Sequence, residues 1–477
     1  MKSNFNRRSF IKRAALAAGA APFISFPNIG SAATHRLGDR LRCAQVGCGI
    51  RASTHLEQVY FRYGQELVAI VDPDERTYGR IFSYLKDHGI DTGNIRTFTD
   101  YREMFDKMGK QLDAVFVTAP NHHHANVAVM AMERGINVYC EKPLCHDIAE
   151  GRRLREAAAH YKKVATQMGN QGHCMEGYRR LCEYIWAGMI GNVTETHSWT
   201  SKSNGGVGPR PPSLPVPPGL HWDSWIGPAP YRDYHADLHP HEWHGWYDFG
   251  NGTLGNMGCH ILDGVFWALK AGHPDSVEAE MIRGGTDERC PTGSRVRWDI
   301  PARENMTPLK AYWYEGLNAT TTDSPVGTTR LLMGNARNLP PLLGELQKQY
   351  PDEELDVGDG GTLYVGDTGI IHTQTYGERM HIVPLGKMEK HPQPPITLPR
   401  PKDVFEDFID ACRAGRSETA APFDYGARLT EFVILGNLAQ RAGVDRKVEW
   451  DGPNMKVTNI PELNQWIKRE PRKGWKV

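Results

Sequence analysis

The sequence predicts an α/β protein: an N-terminal doubly wound parallel sheet, followed by an α+β domain built on a large mixed or antiparallel sheet. Three observations predict it. Short apolar runs alternate with amphipathic helical segments up to about residue 168; a glycine turn closes the first of those runs; beyond them the alternation gives way to Thr-rich and aromatic strand-like segments. At 477 residues the chain is too long for one small core, so two domains with insertions are expected.

Leu41 to Val46 is the first strand-like run, a helical stretch from His55 to Tyr63 follows, and a second apolar run, Leu67 to Val71, ends at Asp72. Ala114–Thr118 and Asn137–Cys140 are further strands, set among helical segments at Tyr101–Met108, Asn126–Arg134 and Ile148–Tyr161. Runs this short and this apolar, alternating with helices, belong to a parallel sheet covered on both faces. This domain is expected over residues 38–168 and the second over 169–477. The second opens with a helix at Glu176–Ala187 and a strand at Val193–Thr200, then a loop from Gly205 to Gly219 too rich in proline for regular structure. Thr253–Lys270 reads as a helix, Lys310–Tyr314 and Thr362–Thr373 as strands, and Val404–Arg413 and Ala427–Ala442 as the last long helices.

Residues 1–33 are set apart. Asn6 to Lys12 read NRRSFIK, an alanine-rich apolar stretch runs from Ala14 to Phe26, and Ser31-Ala32-Ala33 offers a small-residue cleavage site. This is the layout of a twin-arginine signal peptide, which predicts export to the periplasm or beyond. The apolar stretch falls short of the about 20 residues that span a bilayer, and no other window is apolar enough, so no membrane span is expected. The nine cysteines contain no C-x-x-C pair and read as buried free thiols. Lys plus Arg and Asp plus Glu are equal at 56 each, which gives no electrostatic reason for nucleic acid or an anionic membrane as partner.

Three motifs carry chemistry. Gly47-Cys48-Gly49-Ile50-Arg51-Ala52 is a G-x-G-x-x-A turn directly after the first strand. Gly47 permits the tight turn, Gly49 lets a pyrophosphate approach backbone amides, and Ala52 keeps the following helix close to the sheet. Asp72 ends the second strand at about the distance where a carboxylate holds ribose hydroxyls, so the turn reads as a dinucleotide site of the Rossmann type. Asp72 also repels a 2′-phosphate, which favours NAD over NADP, with Arg76 nearby pulling the other way. Glu141-Lys142-Pro143 follows the strand Asn137–Cys140, where ligands of open α/β sheets sit. A lysine there, partly desolvated beside a positive nicotinamide ring, has its pKa pushed down, as an acid–base catalyst needs. The third is Gly255-Asn256-Met257-Gly258-Cys259-His260-Ile261-Leu262-Asp263, in which helical spacing makes Asn256, His260 and Asp263 neighbours. His235, His239, His241 and His244 crowd one segment but lack a metal-ligand spacing, and no metal is expected. Trp243, Trp246 and Tyr247 beside them suit core packing better than stacking on a sugar.

Together with Thr118-Ala119-Pro120-Asn121-His122-His123-His124, the Trp222–Pro230 stretch and Phe423-Asp424-Tyr425, these motifs resemble the Gfo/Idh/MocA superfamily, in particular its exported sugar-acting members, over nearly the whole chain after residue 33. The resemblance implies an NAD-dependent sugar oxidoreductase in which Lys142 and His260 work at the reacting carbinol. It places Thr118, Pro120, Asn121, His124, Glu141 and Gln171 beside the cofactor, and His173 and Asp263 at the substrate. It also implies a homo-oligomer joined through the C-terminal sheet. The position of Asn256 is usually an aspartate in that family; an amide cannot take a proton. Because an exported protein meets no exchanging pool of NAD, the cofactor is expected to stay tightly bound and to be reset in place. Two alternatives accompany this reading: an NAD-dependent glycosidase or lyase working through a transient 3-keto sugar, and a non-catalytic sugar-binding protein.

Overall fold

Arg42–Val46 (β1) is buried almost throughout and pairs in parallel with β2 (Glu66–Val71) on one side and β4 (Ala114–Val117) on the other. In this computed structural model, which describes residues 40–316, 337–353, 355–384, 386 and 392–475, β3 (Arg96–Phe98), β5 (Asn137–Glu141) and β6 (Thr166–Gly169) complete a six-stranded sheet. The predicted signal peptide lies outside the described residues. All pairings are parallel, in the order β3-β2-β1-β4-β5-β6. The chain leaves β1 first towards β3 and later towards β6, so a crevice opens between the carboxyl ends of β1 and β4, the place where such sheets bind ligands. The first helix, α1 (Ile50–His55), begins five residues earlier than predicted, directly after Gly49, and continues with π winding through Arg62. α2 (Tyr78–Asp87) and α3 (Tyr101–Met108) follow. α4 (Asn121–Glu133) also starts early, behind Pro120, and takes the three histidines into its buried first turn. α5 (Ile148–His160) starts at a reciprocal cap between Asp147 and Glu150.

Among the described residues the second sheet has nine strands in the order β13-β12-β11-β7-β10-β9-β8-β14-β15. These are β7 (Val193–Thr200), β8 (Ser276–Arg283), β9 (Gly293–Ile300), β10 (Leu309–Gly316), β11 (Gly360–Gly366), β12 (Ile370–Gln374), β13 (His381–Val383), β14 (Val448–Asp451) and β15 (Lys456–Val457). Among the described residues, only β7 and β10 pair in parallel within it. The predicted strand Thr362–Thr373 is in fact a hairpin, because Gly366 and Gly369 close a turn between β11 and β12. The predicted helix Thr253–Lys270 is broken into a π turn at Leu254–Gly258, a helical turn at Cys259–Ile261 and a helix at Asp263–Ala268. Its glycines lie against neighbours that a side chain would strike: a Cβ on Gly258 would stand 2.8 Å from Val433 Cγ1.

Two late helices tie the sheets together. Val404–Ala414 (α6) returns to the first sheet, where Phe405 stacks on Tyr139 and Phe408 meets Phe116 edge-on. The 169–477 span is therefore not confined to the second sheet. Phe423–Ala442 (α7) is buried on nearly all sides between α5 and the nine-stranded sheet; Arg152 grips Glu431 through two contacts of 2.6 and 2.7 Å, and Trp298 Nε1 donates to Phe432 O at 3.0 Å. The loop after β7 folds over the first domain. Its aromatic core of Trp222, Trp225, Trp243, Trp246 and Phe249 is separate, and its backbone joins Pro73 and Glu75 through His221 N and Gly219 O. Trp243 and Trp246 are thus core residues.

Candidate active site

The turn after β1 separates the roles of its two glycines. Gly47 has φ +90°, and a Cβ there would lie 2.6 Å from Ala119 N and Thr118 C, so the protein itself excludes any other residue. Gly49 has an ordinary φ of −70°, and a Cβ there would meet nothing within 4 Å. That open space lies at the start of α1, which has neither a side-chain cap nor an acidic residue in its first turn, so its amides and positive end are available to an anion. Ala52 is fully buried beneath it. Asp72 Oδ2 accepts Cys48 N at 2.6 Å and Oδ1 accepts Asp74 N at 2.8 Å, while burial pushes its carboxyl up to about 6. Arg76 grips Asp74 through Nε at 2.6 Å and Nη2 at 2.7 Å, and His239 Nε2 lies 2.8 Å from the same carboxylate. The arginine that would favour a 2′-phosphate is already paired.

Thr118 Oγ1 donates to Gly47 O at 2.7 Å and accepts from Gln45 Nε2 at 2.8 Å, fixing the far wall of the crevice. Pro120 leads into α4, whose Asn121 donates to Asn251 Oδ1 at 3.2 Å. His124 faces Ala119 O at 2.7 Å and Pro143 O at 2.8 Å, bracing the loops after β4 and β5 against each other. Two buried acceptors near the ends of β5 and β6, Glu141 Oε2 and Gln171 Oε1, have no partner among the described residues. Open space at Gly49, an uncapped helix start, a carboxylate at the end of β2 and unfilled acceptors further along suit a dinucleotide.

β5 ends on Glu141 and delivers Lys142 to the crevice. Burial opposes ionisation of Glu141, but Arg51 Nε at 2.7 Å and His55 Nε2 at 3.1 Å outweigh it and hold the carboxyl well below the usual range. Lys142 Nζ donates to Asn256 O at 2.8 Å and Asn256 Oδ1 at 3.2 Å. Burial, with Arg51 and Lys202 adding to it and Glu141 opposing, lowers this lysine to about 8. Asn256 Nδ2 donates to Asn204 Oδ1 at 2.8 Å. His260 follows one turn later. Asn170 Nδ2 donates to Cys259 O at 2.9 Å, so Asn170 Oδ1 is an acceptor and His260 Nδ1, 3.0 Å away, must carry the proton. Burial and the nearby Lys142 keep this imidazole neutral, which leaves Nε2 as an acceptor with no partner among the described residues. Tyr376 stands edge-on to its ring with centroids 4.9 Å apart.

The structure thus brings Lys142, Asn256 and His260 together. It places His173 and Asp263 in a neighbouring buried cluster: His173 Nδ1 lies 3.1 Å from Asp263 Oδ2, Tyr425 OH donates to the same carboxylate, and Trp267 stacks on the imidazole at 3.9 Å. The histidine-rich segment does not converge. His239 joins Asp74, His241 pairs with Glu242, His235 has two buried nitrogens without partners, and His244 stacks on Trp243 and feels the Lys142 charge. No three His, Cys, Asp or Glu side chains among the described residues are placed to hold a metal. All nine cysteines are free and buried. No helix among the described residues is long and apolar enough to cross a membrane. Sequence reasoning assigned no role to Arg51, Asn170, Asn204, Lys202 or Tyr376; Arg51, inside the glycine motif, and Asn170, beside Gln171, stood where attention was already directed.

A dinucleotide crevice facing a lysine–histidine pair, on a parallel sheet joined to a large mixed sheet, defines an oxidoreductase-type two-domain protein. The chain belongs to the Gfo/Idh/MocA oxidoreductase family: residues 41–169 match its NAD-binding Rossmann domain and residues 190–291 its C-terminal α/β domain. It is 32% identical over 158 residues to an inositol 2-dehydrogenase of Salmonella typhimurium, a match covering 33% of this chain and 45% of that protein. It is 26% identical over 190 residues to a glycosyl hydrolase family 109 protein of Shewanella sp. (strain MR-4), covering 36% and 41%. The matched segments therefore span less than half the length of these relatives. In fold it is similar to the WlbA dehydrogenase from Bordetella pertussis (TM-score 0.56, 15% identity, 86% of this chain and 99% of that one). It is likewise similar to an aldose–aldose oxidoreductase from Caulobacter crescentus (TM-score 0.54, 16% identity, 86% and 100%).

Proposed function

We propose that the protein oxidises a hydroxyl group of a sugar or glycoside at the expense of a tightly bound NAD. The observation that carries this is Lys142: a lysine lowered to about 8 at the carboxyl end of β5, held by Asn256 and flanked by the neutral His260. When bound, the nicotinamide supplies a hydride acceptor. Gly47, Gly49, Ala52, Asp72, Thr118, Pro120 and Asn121 would hold the dinucleotide, and Glu141 and Gln171 offer acceptors further along. Lys142 Nζ takes the hydroxyl proton as the carbinol carbon becomes a carbonyl, and His260 Nε2 is the second acceptor in reach of the same chemistry. The paired Arg76 favours NAD over NADP. The likeness to inositol 2-dehydrogenase supports a ring hydroxyl as the reacting group.

The twin-arginine layout of residues 1–33 supports export, and export supports a cofactor that is reset in place. A homo-oligomer through the nine-stranded sheet belongs to the same proposal, and light scattering checks it. The glycosyl hydrolase likeness favours one second reading, a redox-neutral glycosidase passing through a 3-keto sugar. Purified protein with sugars and aryl glycosides decides between them. Reduced-cofactor absorbance without aglycone release supports oxidation; aglycone release at constant absorbance supports the glycosidase; neither, with NAD bound, leaves a binding protein and overturns both.

A further inference from the structure

The residue facing Lys142 is an amide, Asn256. A lysine ammonium only donates, so the Asn256 atom 3.2 Å from Nζ is Oδ1, and Nδ2 is turned to Asn204 Oδ1 at 2.8 Å. Asn204 is itself anchored by its backbone N–H, which donates to Thr253 Oγ1 at 2.7 Å. No carboxylate forms an ion pair with Lys142 among the described residues. Of the charged and titratable groups around it, Glu141 is engaged by Arg51 and His55, Arg51 and Lys202 are cations, and Cys259, His260 and His244 are uncharged neighbours.

We propose that Asn256, oriented by Asn204, is a positioning residue that aims the Lys142 amine while withholding the counter-charge an aspartate would supply, so that the lysine serves as a base near neutral pH. This rests on the reading of Lys142 as the acid–base group. An aspartate at 256 would set a negative charge at hydrogen-bond distance from Nζ and favour the ammonium by about 1–3 pKa units. The new carboxylate would meet Asn204 Oδ1, so the variant requires the Asn204 amide to turn and donate Nδ2 instead.

The test is competitive acetylation of the NAD-incubated protein with acetic anhydride across pH, with the Lys142 peptide read by mass spectrometry and an exposed lysine such as Lys402 as internal reference. The expected midpoint is near 8 in the natural protein. In Asn256→Asp it rises by a unit or more, and the acid limb of any pH–rate profile moves with it, lowering turnover at pH 7 at least tenfold with recovery at high pH. Asn204→Asp, one hydrogen bond further out, shifts the midpoint the same way by less and serves if Asn256→Asp does not fold. Unmoved midpoints in folded variants overturn the inference. Labelling needs no substrate, so a failure of the oxidoreductase reading would show separately, as absent turnover with the labelling shift intact.

Discussion

Substituting the two glycines of the β1 turn one at a time separates a glycine required by the fold from one required by a ligand. In Gly47→Ala the new Cβ would stand 2.6 Å from Ala119 N, 2.6 Å from Thr118 C and 2.8 Å from Thr118 O, all backbone atoms, at φ +90°. The left-handed backbone costs about 1–2 kcal/mol and the overpacking about 1–3 kcal/mol, together about 2–5 kcal/mol, a large share of the stability of an ordinary domain. Gly49→Ala has φ −70° and free space, so the unliganded protein should hold its melting temperature or gain about 0.4–1 kcal/mol from the stiffer unfolded chain. Its added methyl would occupy the room left for a pyrophosphate. Saturation with NAD at about a hundredfold its Kd stabilises a protein by about 2.7 kcal/mol, and a tenfold loss of affinity removes about half of that. Thermal melts of protein stripped of cofactor, with and without added NAD, therefore give a crossed pattern: Gly47→Ala melts early, while Gly49→Ala melts normally and responds weakly to NAD. A Gly49→Ala protein whose NAD response matches the natural one would refute the assignment of that space to the cofactor.

Three further outcomes follow from the same geometry. Lys142→Met should lower turnover by about 10²–10⁴-fold while NAD remains bound, measured by steady-state kinetics beside the cofactor absorbance of the purified protein. Asp72→Asn removes a charged acceptor and should weaken NAD by about 1.5–3 kcal/mol without producing tight NADP binding, because Arg76 stays on Asp74; calorimetric titration with both nucleotides checks this. Glu315 is buried with Ser294, Trp313 and Gln440 as its donors, and burial raises its carboxyl to about 7 from the ordinary 4.5. A raised pKa in the folded state gives stability that is complete below the ordinary value and lost as pH climbs through 7, about 3 kcal/mol in all. Glu315→Gln should flatten the fall in melting temperature between pH 5 and 8.

What the sequence reveals depends on how far apart the cooperating residues lie along the chain. The Gly47–Ala52 turn and Asp72 are legible because turn, helix start and strand end occupy one short window, and each needs a particular residue type for a local steric reason. The strands β3 and β6 were not legible: Arg96-Thr97-Phe98 and Thr166-Gln167-Met168-Gly169 are too short and too polar to show a period, and only their neighbours in the sheet make them strands. The amphipathic face of Val404–Ala414 announces burial, yet nothing in its pattern says that it packs beneath Tyr139 rather than on its own domain's sheet. The site follows the same rule. Lys142 and His260 stand in recognisable motifs, whereas the side chains that orient the site, Asn204 on Asn256 and Asn170 on His260, come from 52 and 90 residues away. An amide in a motif that usually holds an acid reads, on sequence alone, as a lost catalytic group. With Asn204 holding Asn256 so that the Asn256 Oδ1 faces Lys142, and no carboxylate hydrogen-bonded to Nζ among the described residues, the lysine that burial lowers has no counter-charge at hydrogen-bond distance. Burial lowers the lysine, the amide at 256 leaves that lowering unopposed at hydrogen-bond distance, and only the folded chain brings the two together.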